Sequence, residues 1–431
     1  MNIKFTQKLV DYNKIVGDRG FLDPAIFVGK VREPIQDVRG VNAKIYKIDD
    51  YILVDFDHMP KSKEIALIED EHGPFLYRIV KAKSYAGDDL DAILKDAIEM
   101  RATDIHLEPK EDKMGIRFRI DGVLKHISYM YQDFDRLSNI IKVRSGMDTV
   151  NKEMQDGSMD FKFNSKDLSI RVSSVPTQFG EKFVLRLLNS NQIELDLIKL
   201  GMPEDVLDTY KKYINKEGMN LVVGPTGSGK NTTMHAALKL LPHQEKNIIS
   251  IEDPIEYRAD DITQLEVDNS RGRTFNKLLR ASLRQDPDII YIGEIRDEET
   301  AQVAMRSAIT GHTVFSTLHT RDDKNTYDRL LDLGVEEYIL KTAISTIISQ
   351  RLVRTLCDCK IKTEDGHYMA NGCDKCNNGY YGRTGVFELS VADEGRREFK
   401  FKKIIDRKES LKRLYEEGKI DLKTFEEEND I

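Results

Sequence analysis

The sequence predicts an α/β fold: a parallel sheet wrapped by helices, carrying a phosphate-binding loop, with a smaller α+β unit before it. Three observations lead there. Residues 224–230 read Gly-Pro-Thr-Gly-Ser-Gly-Lys, directly after the apolar run Leu221-Val222-Val223 and before a helix-compatible stretch at 232–241. Short apolar runs at 221–223, 248–251, 289–292 and 314–318 alternate with helical patterns, as the strands of a helix-covered parallel sheet do. Ahead of them, a helical period at 88–100 (Leu90, Ile93, Leu94, Ala97, Ile98) gives way to strand-like runs at 105–107, 115–120 and 168–175, the mark of a separate α+β unit.

At 431 residues the chain has room for two or three domains. Its net charge of −8 argues against nonspecific nucleic-acid binding as the main task. No apolar run approaches the ~18 residues of a membrane-spanning helix. The start, Met1-Asn2-Ile3-Lys4, is not that of a signal peptide. Any membrane role is therefore expected to run through a partner.

Residues 1–80 mix short alternating segments with charged turns and hold no chemical motif, so a small docking domain is expected there. Residues 84–190 form the α+β unit. In 115–120, Ile116, Phe118 and Ile120 alternate with Arg117 and Arg119, a half-buried strand that the turn Asp121-Gly122 closes. A linker is expected at 191–200, and the P-loop domain fills 201–431. The charged amphipathic tail, 407–431, reads most simply as a solvated face.

The chemistry starts at the loop. Gly224, Pro225, Thr226, Gly227, Ser228 and Gly229 match a backbone that wraps a phosphate, and the following helix offers it unpaired N–H groups. Lys230 is placed to neutralise terminal phosphates. The next position usually supplies a hydroxyl to Mg²⁺; here it is Asn231, with Thr232 after it.

Glu294 ends the 289–292 run, where a carboxylate orients an attacking water or holds Mg²⁺ through water. Its bland alternative is an ion pair with Arg296. Glu252, Asp253 and Glu256 gather after the 248–251 run. Clustered carboxylates repel unless a cation is near, so Mg²⁺ and phosphate compete with a merely solvated turn as the explanation. His319 follows the 314–318 run, in reach of a γ-phosphate. His312 and His319 as metal ligands lack a third donor, and a Ser316–His319 hydrolase lacks its nucleophile elbow.

Arg280 and Arg284 lie one helical turn apart, and Arg171 and Arg186 sit on strand-like segments of the preceding unit. Phosphoryl transfer needs such charge, while surface ion pairs are the plain alternative. Cys357, Cys359, Cys373 and Cys376 complete the set. Clustered thiols without a secretion signal suggest a structural Zn²⁺ site rather than disulfides, although Cys357-x-Cys359 is one residue short of the usual knuckle.

In their order these motifs resemble the secretion-ATPase superfamily, specifically the type II secretion and type IV pilus assembly ATPases. The resemblance runs over residues 100–390. It includes Asp104-Ile105-His106-Leu107-Glu108-Pro109, Arg117-Phe118-Arg119-Ile120-Asp121-Gly122, Gln155-Asp156-Gly157 and Arg171-Val172-Ser173-Ser174. It continues through the P-loop, the acidic segment 252–256 (the family's Asp box), Gly293-Glu294-Ile295-Arg296-Asp297 (its Walker B), the histidine segment (its His box) and Gly382-Arg383-Thr384-Gly385.

The resemblance implies a RecA-like P-loop ATPase domain behind an α+β, PAS-like domain and a short N-terminal domain. It implies a cytoplasmic homo-hexamer that hydrolyses ATP with Mg²⁺ and drives an inner-membrane platform protein. Carried over to this chain, Lys230 and the loop hold phosphates, Glu294 is the catalytic acid, Glu252 and Glu256 line the Asp box, and His319 the His box. Arg171 and Arg186 become candidates to reach the nucleotide. The cysteine insert is a mark of the assembly and secretion branch rather than the retraction branch. Asn231 departs from the pattern and leaves a second reading open, an ATP-binding regulatory or scaffold subunit with weak hydrolysis.

Overall fold

The structure, a computed structural model, describes residues 89–131, 134–164, 166–188, 195–373, 375–392 and 401–429, with short stretches before residue 89. By contact the chain separates into two units: Met1–Leu188 with Leu356–Gly382, and Asn189–Thr355 with Arg383–Ile431.

The first unit opens with five short strands, β1 (Ile3–Phe5), β2 (Glu33–Pro34), β3 (Ala43–Ile48), β4 (Tyr51–Phe56) and β5 (Leu76–Ile79), in the order β1-β5-β4-β3-β2. They fall within the expected docking domain; most of 1–80 and the boundary at 80–84 lie outside the described residues.

Helix α1 (Leu90–Glu99) follows, then β6 (Ala102–Pro109), β7 (Met114–Ile120), β8 (Val123–Met130), α2 (Phe134–Arg144), β9 (Gln155–Phe163), β10 (Lys166–Thr177) and β11 (Gly180–Leu188). The six strands form one sheet in the order β8-β7-β6-β11-β10-β9. Leu90, Ile93, Leu94 and Ala97 pack on Ile105, Leu107, Phe118, Phe183 and Leu185 of the sheet. The expected turn at Asp121-Gly122 is present, with both residues at positive φ, +50° and +86°. On the face away from that core, the register lines up Arg119, Asp104, Arg186 and Arg171 across four strands.

The second unit holds α3 (Glu204–Ile214), β12 (Gly218–Val223), α4 (Lys230–Leu238), β13 (Ile248–Glu252), β14 (Thr263–Glu266), α5 (Phe275–Ser282), β15 (Ile289–Ile292), α6 (Glu298–Ile309), β16 (Thr313–Leu318), α7 (Asp323–Asp332) and α8 (Glu337–Ala343). Then come β17 (Ile344–Leu356) and, beyond the cysteine segment with β18 (Ile361–Lys362) and β19 (Tyr368–Met369), the strands β20 (Tyr380–Ala392) and β21 (Phe401–Ile405). Helices α9 (Arg407–Glu416) and α10 (Leu422–Asn429) close the chain.

The eight-stranded sheet has the order β14-β13-β15-β16-β12-β17-β20-β21, parallel from β14 to β17. Each of the four apolar runs is one of its strands. Strands β12, β13, β15 and β16 are buried at every position, as strands covered on both faces must be.

Two expectations are corrected. The cysteine segment 357–376 groups by contact with the first unit rather than with the P-loop domain; within that unit the Arg101 guanidinium lies over the Tyr381 ring, 3.5 Å from its centre. The tail is not simply a solvated face. Leu411, Leu414 and Ile420 bury with Val353 and Val386 in a small core of their own. The motif at 382–385 also has a packing role: the Gly385 N–H donates to the Leu200 carbonyl at 2.8 Å, and Gly201 (φ +107°) has no room for a side chain against Thr384. Of the linker, residues 191–194 lie outside the described residues.

Candidate functional site

Strand register brings the chemistry to one edge. Val223 pairs with Leu318, and Ile292 pairs with both Ile251 and Ser316. The residues just after these strands, Gly224, His319 and Glu294, therefore emerge together at the C-terminal edge of the parallel strands, where open α/β sheets bind ligands, with Glu252 the last residue of β13.

The loop is shaped by close approach. Gly224 has φ +155°, and a Cβ there would stand 2.4 Å from the Gln350 carbonyl oxygen and 2.6 Å from Ser228 Oγ. Only glycine fits. Pro225, Thr226 and Gly227 are the exposed tip, and Gly229 in the left-handed region (φ +85°) starts α4. The Lys230 ammonium folds over the loop and donates to the carbonyls of Gly224 (2.9 Å) and Pro225 (3.1 Å). Burial pushes it down to about 8, against the pull of Glu294.

A chain of polar groups runs outward from it. His319 Nδ1 lies 3.5 Å from Lys230 Nζ, and His319 Nε2 lies 3.7 Å from Glu294 Oε2. Burial first, and the Lys230 charge second, hold the imidazole below its usual range. Glu294 also pairs with Arg296. The ion-pair alternative for Glu294 is thus real, and it coexists with a place beside the loop lysine. Ser316 and Thr317 tie the strand ends, donating to the carbonyls of Ile292 (2.8 Å) and Gly293 (2.7 Å).

Asn231 is half-buried, its side chain without a hydrogen bond among the described residues, whereas Thr232 Oγ1 bonds Tyr257 OH at 2.9 Å. Glu256 likewise has no hydrogen-bonding partner among the described residues. Asn231 sits at the start of α4, and its amide oxygen is of the hard kind that Mg²⁺ takes.

Glu252 departs from expectation. Its carboxylate is buried, and Ser250 Oγ, Gln264 Nε2 and His235 Nε2 all lie within hydrogen-bond distance of it (2.6, 3.1 and 3.1 Å). It is committed inside the domain instead of lining the ligand edge. Arg280 and Arg284 depart as well. Arg280 pairs with Glu299 at 3.1 Å in a groove between α5 and α6, and Arg284 donates to the Arg280 carbonyl at 2.7 Å. Among the described residues neither bonds to the loop. Arg171 and Arg186 face each other on β10 and β11, and Arg186 Nε donates to Asp104 Oδ1 at 2.9 Å. Like charges directly opposite are unfavourable, and the buried Asp104 offsets them.

The four cysteines converge. Their sulfurs all lie within 4.8 Å of one another, with Cys357–Cys373 at 3.9 Å and Cys359–Cys376 at 3.8 Å, and none is in a disulfide. A tetrahedral thiolate site with ~2.3 Å metal–sulfur bonds has sulfur–sulfur edges of about 3.8 Å. The N–H groups of Cys373 and Gly379 donate to Cys376 Sγ at 3.2 and 3.3 Å, as the outer shell of a metal thiolate does. The short Cys-x-Cys half therefore reaches the same centre as the Cys-x-x-Cys half, and the residues fit a Zn²⁺ ion.

The structure brings Lys230, Glu294 and His319 to one edge and the four cysteines to one centre. His235 and Gln264 carry no motif in the sequence, and Tyr257 only closes the acidic segment; the fold sets their partners, and only nearness to the loop and that segment could have flagged them.

The fold and the site together define a P-loop nucleotide-binding protein with an additional α+β unit. The chain belongs to the type II/IV secretion system protein family, whose pattern matches residues 81–427. It is 44% identical over 324 residues to type II secretion system protein E of Dickeya dadantii, covering 71% of this chain and 65% of that one. To the type II secretion system ATPase E of Vibrio cholerae it is 41% identical over 330 residues, covering 72% and 66%. The chain thus spans about two thirds of the length of these relatives. Among solved structures, the ATPase DotB of Legionella pneumophila superposes with a TM-score of 0.63 at 21% identity, covering 81% of this chain and 97% of that one. The pilus retraction motor PilT with bound ADP gives 0.56 at 28% identity, covering 78% and 96%. No helix among the described residues is long and apolar enough to cross a membrane.

Proposed function

We propose that this chain is the ATP-hydrolysing motor of a type II secretion or type IV pilus assembly machine. The observation that carries the reading is the convergence of Lys230, His319 and Glu294 at one sheet edge, beside the start of α4. The relative named as a secretion ATPase supports it.

In this reading the loop amides and the N-terminus of α4 bind the phosphates, and Lys230 exchanges its two carbonyl partners for phosphate oxygens. Asn231 and Glu256 hold Mg²⁺ directly or through water. Glu294 orients the attacking water, and His319, between Glu294 and Lys230, senses the terminal phosphate. Arg171 and Arg186 of the first unit supply charge as the units move. The cysteines hold one structural Zn²⁺. The working form is a homo-hexamer in the cytoplasm, peripheral to the inner membrane through a platform protein.

Phosphate release by the full chain with Mg²⁺ and ATP is the test. Glu294→Gln is expected to cut turnover by about 100-fold or more while nucleotide binding persists. Unchanged turnover in that variant removes Glu294 from the role. Asn231 favours one alternative, an ATP-binding scaffold subunit with weak hydrolysis; tight ATP binding by the parent chain without phosphate release selects it.

A further inference from the structure

We propose that His235 is a positioning residue: it locks Glu252 beneath the phosphate-binding helix and so makes the acidic segment 252–257 move with that helix. The geometry stands alone; its effect on turnover rests on the hydrolytic reading above.

Thr232 and His235 are three residues apart on α4, hence on one helix face. They grip opposite ends of the same segment. Thr232 Oγ1 bonds Tyr257 OH at 2.9 Å, and His235 Nε2 meets Glu252 Oε2 at 3.1 Å. Both members of the second pair are 3% exposed. A carboxylate only accepts, so Nε2 carries the hydrogen. The other oxygen, Oε1, accepts from Ser250 and Gln264, and Gln264 Nε2 also donates to the Tyr257 carbonyl at 2.8 Å. The imidazole packs between Tyr257 and Tyr291, with ring centres 4.9 and 5.4 Å away.

Every side-chain partner of Glu252 among the described residues thus belongs to the domain, which makes it an anchor of the segment. Between the anchors lie Asp253 to Glu256, and Glu256 has no hydrogen-bonding partner among the described residues. A shift of α4 on phosphate binding displaces both anchors at once, and Glu256 travels with them. Removing the histidine leaves a buried carboxylate short of its partner, which it relieves by moving.

The test uses the full chain, His235→Phe and His235→Gln. Phenylalanine keeps a ring between the tyrosines and deletes the donor; glutamine restores an N–H of similar reach. Two readouts are taken below the melting temperature of all three proteins: kcat and KM for ATP, and amide hydrogen exchange with and without Mg²⁺ and ADP. His235→Phe is expected to lower kcat by about tenfold or more with KM within about threefold, the loss of one charge-assisted hydrogen bond expressed in turnover. His235→Gln is expected to stay within about threefold of the parent. In the exchange arm, ADP slows residues 224–231 in every protein, but slows 253–257 only in the parent and His235→Gln.

A normal response of 253–257 in His235→Phe overturns the proposal, as does an equal loss of kcat in both variants. Should the single phenylalanine variant fail to fold, His235→Phe with Glu252→Gln removes the stranded charge as well, and the same loss of response is expected. A parent that binds ADP without turning over ATP defeats the hydrolytic reading alone, because the exchange arm still decides the coupling.

Discussion

Lys230 is an ammonium held among carbonyls in a site that burial makes unfavourable for charge, and its lowered value, about 8, has a direct consequence. Bound phosphate restores the proton's hold, so above pH 8 the complex carries more protons than the free protein, and binding weakens as pH rises. Nucleotide affinity is expected to be flat below about pH 8 and to fall by up to about tenfold per pH unit above it. A fluorescent ADP analogue titrated between pH 7 and 9.5 reads this directly, and constant affinity across the range rules it out. The neighbouring residue offers a second experiment. Asn231→Thr places a hydroxyl at the start of α4 and is expected to raise Mg²⁺ affinity or turnover. Mg²⁺ titrations of turnover in both proteins decide whether the asparagine is instead suited to this site. At this scale legibility followed locality. Lys230, Glu294 and His319 could be read because each ends a strand-like run or a glycine loop. Glu252 could be placed but not understood, since its partner His235 lies seventeen residues upstream on another element. Arg280 and Arg284 had the right charge and spacing, yet an exposed ion pair with Glu299 and a backbone carbonyl account for them.

The parallel strands could be read because strands buried on both faces are continuous apolar runs, and β12, β13, β15 and β16 are of that kind. Strands β17 and β20 were harder. They mix Ser, Thr, Gln and Arg with apolar residues, and the Asn220–Thr346 bond at 2.8 Å satisfies polarity that sequence alone makes look like a loop. The tail misled for a related reason: its few apolar residues are enough for a small core only because β17 and β20 present Val353 and Val386 to them. The cysteine segment has little structure of its own to hold it. Its two short strands pair over only two residues each, too little to hold a fold by themselves, so a metal is expected to do it. Protein purified without chelator is expected to carry about one equivalent of zinc. Cys376→Ser is expected to lose it and to open 356–382 to proteolysis while ADP binding persists. Metal content below about half an equivalent leaves four free thiols as the better description.

For the whole molecule, the division of charge between units is the point of interest. Lys230, His319 and Glu294 lie in the second unit, whereas Arg171 and Arg186 lie in the first. If arginine and phosphate meet only in an assembled ring, turnover per chain rises with protein concentration, and Arg171→Ala or Arg186→Ala lowers turnover more than ATP binding. Activity measured beside sedimentation across a dilution series tests this. A dilute monomer as fast as the oligomer defeats the ring. A junction between bodies could be placed by the expected linker at 191–200, and the chain changes unit after Leu188. The return of Leu356–Gly382 to the first could not, because nothing in a run of residues says which body a late segment rejoins.

That return shapes how the protein is made. A ribosome passing Leu188 has not finished the first unit, since part of it is still untranslated, and the second unit is interrupted from Leu356 to Gly382. At about 5–20 residues per second, Gly382 emerges about 10–40 s after Leu188. The two bodies therefore reach completion one after the other, the first only once Gly382 is made, and the thiols become available only in that window. Any chain that stops between residues 189 and 355 lacks material from both units. Cutting this protein at its apparent midpoint yields two fragments that are each incomplete.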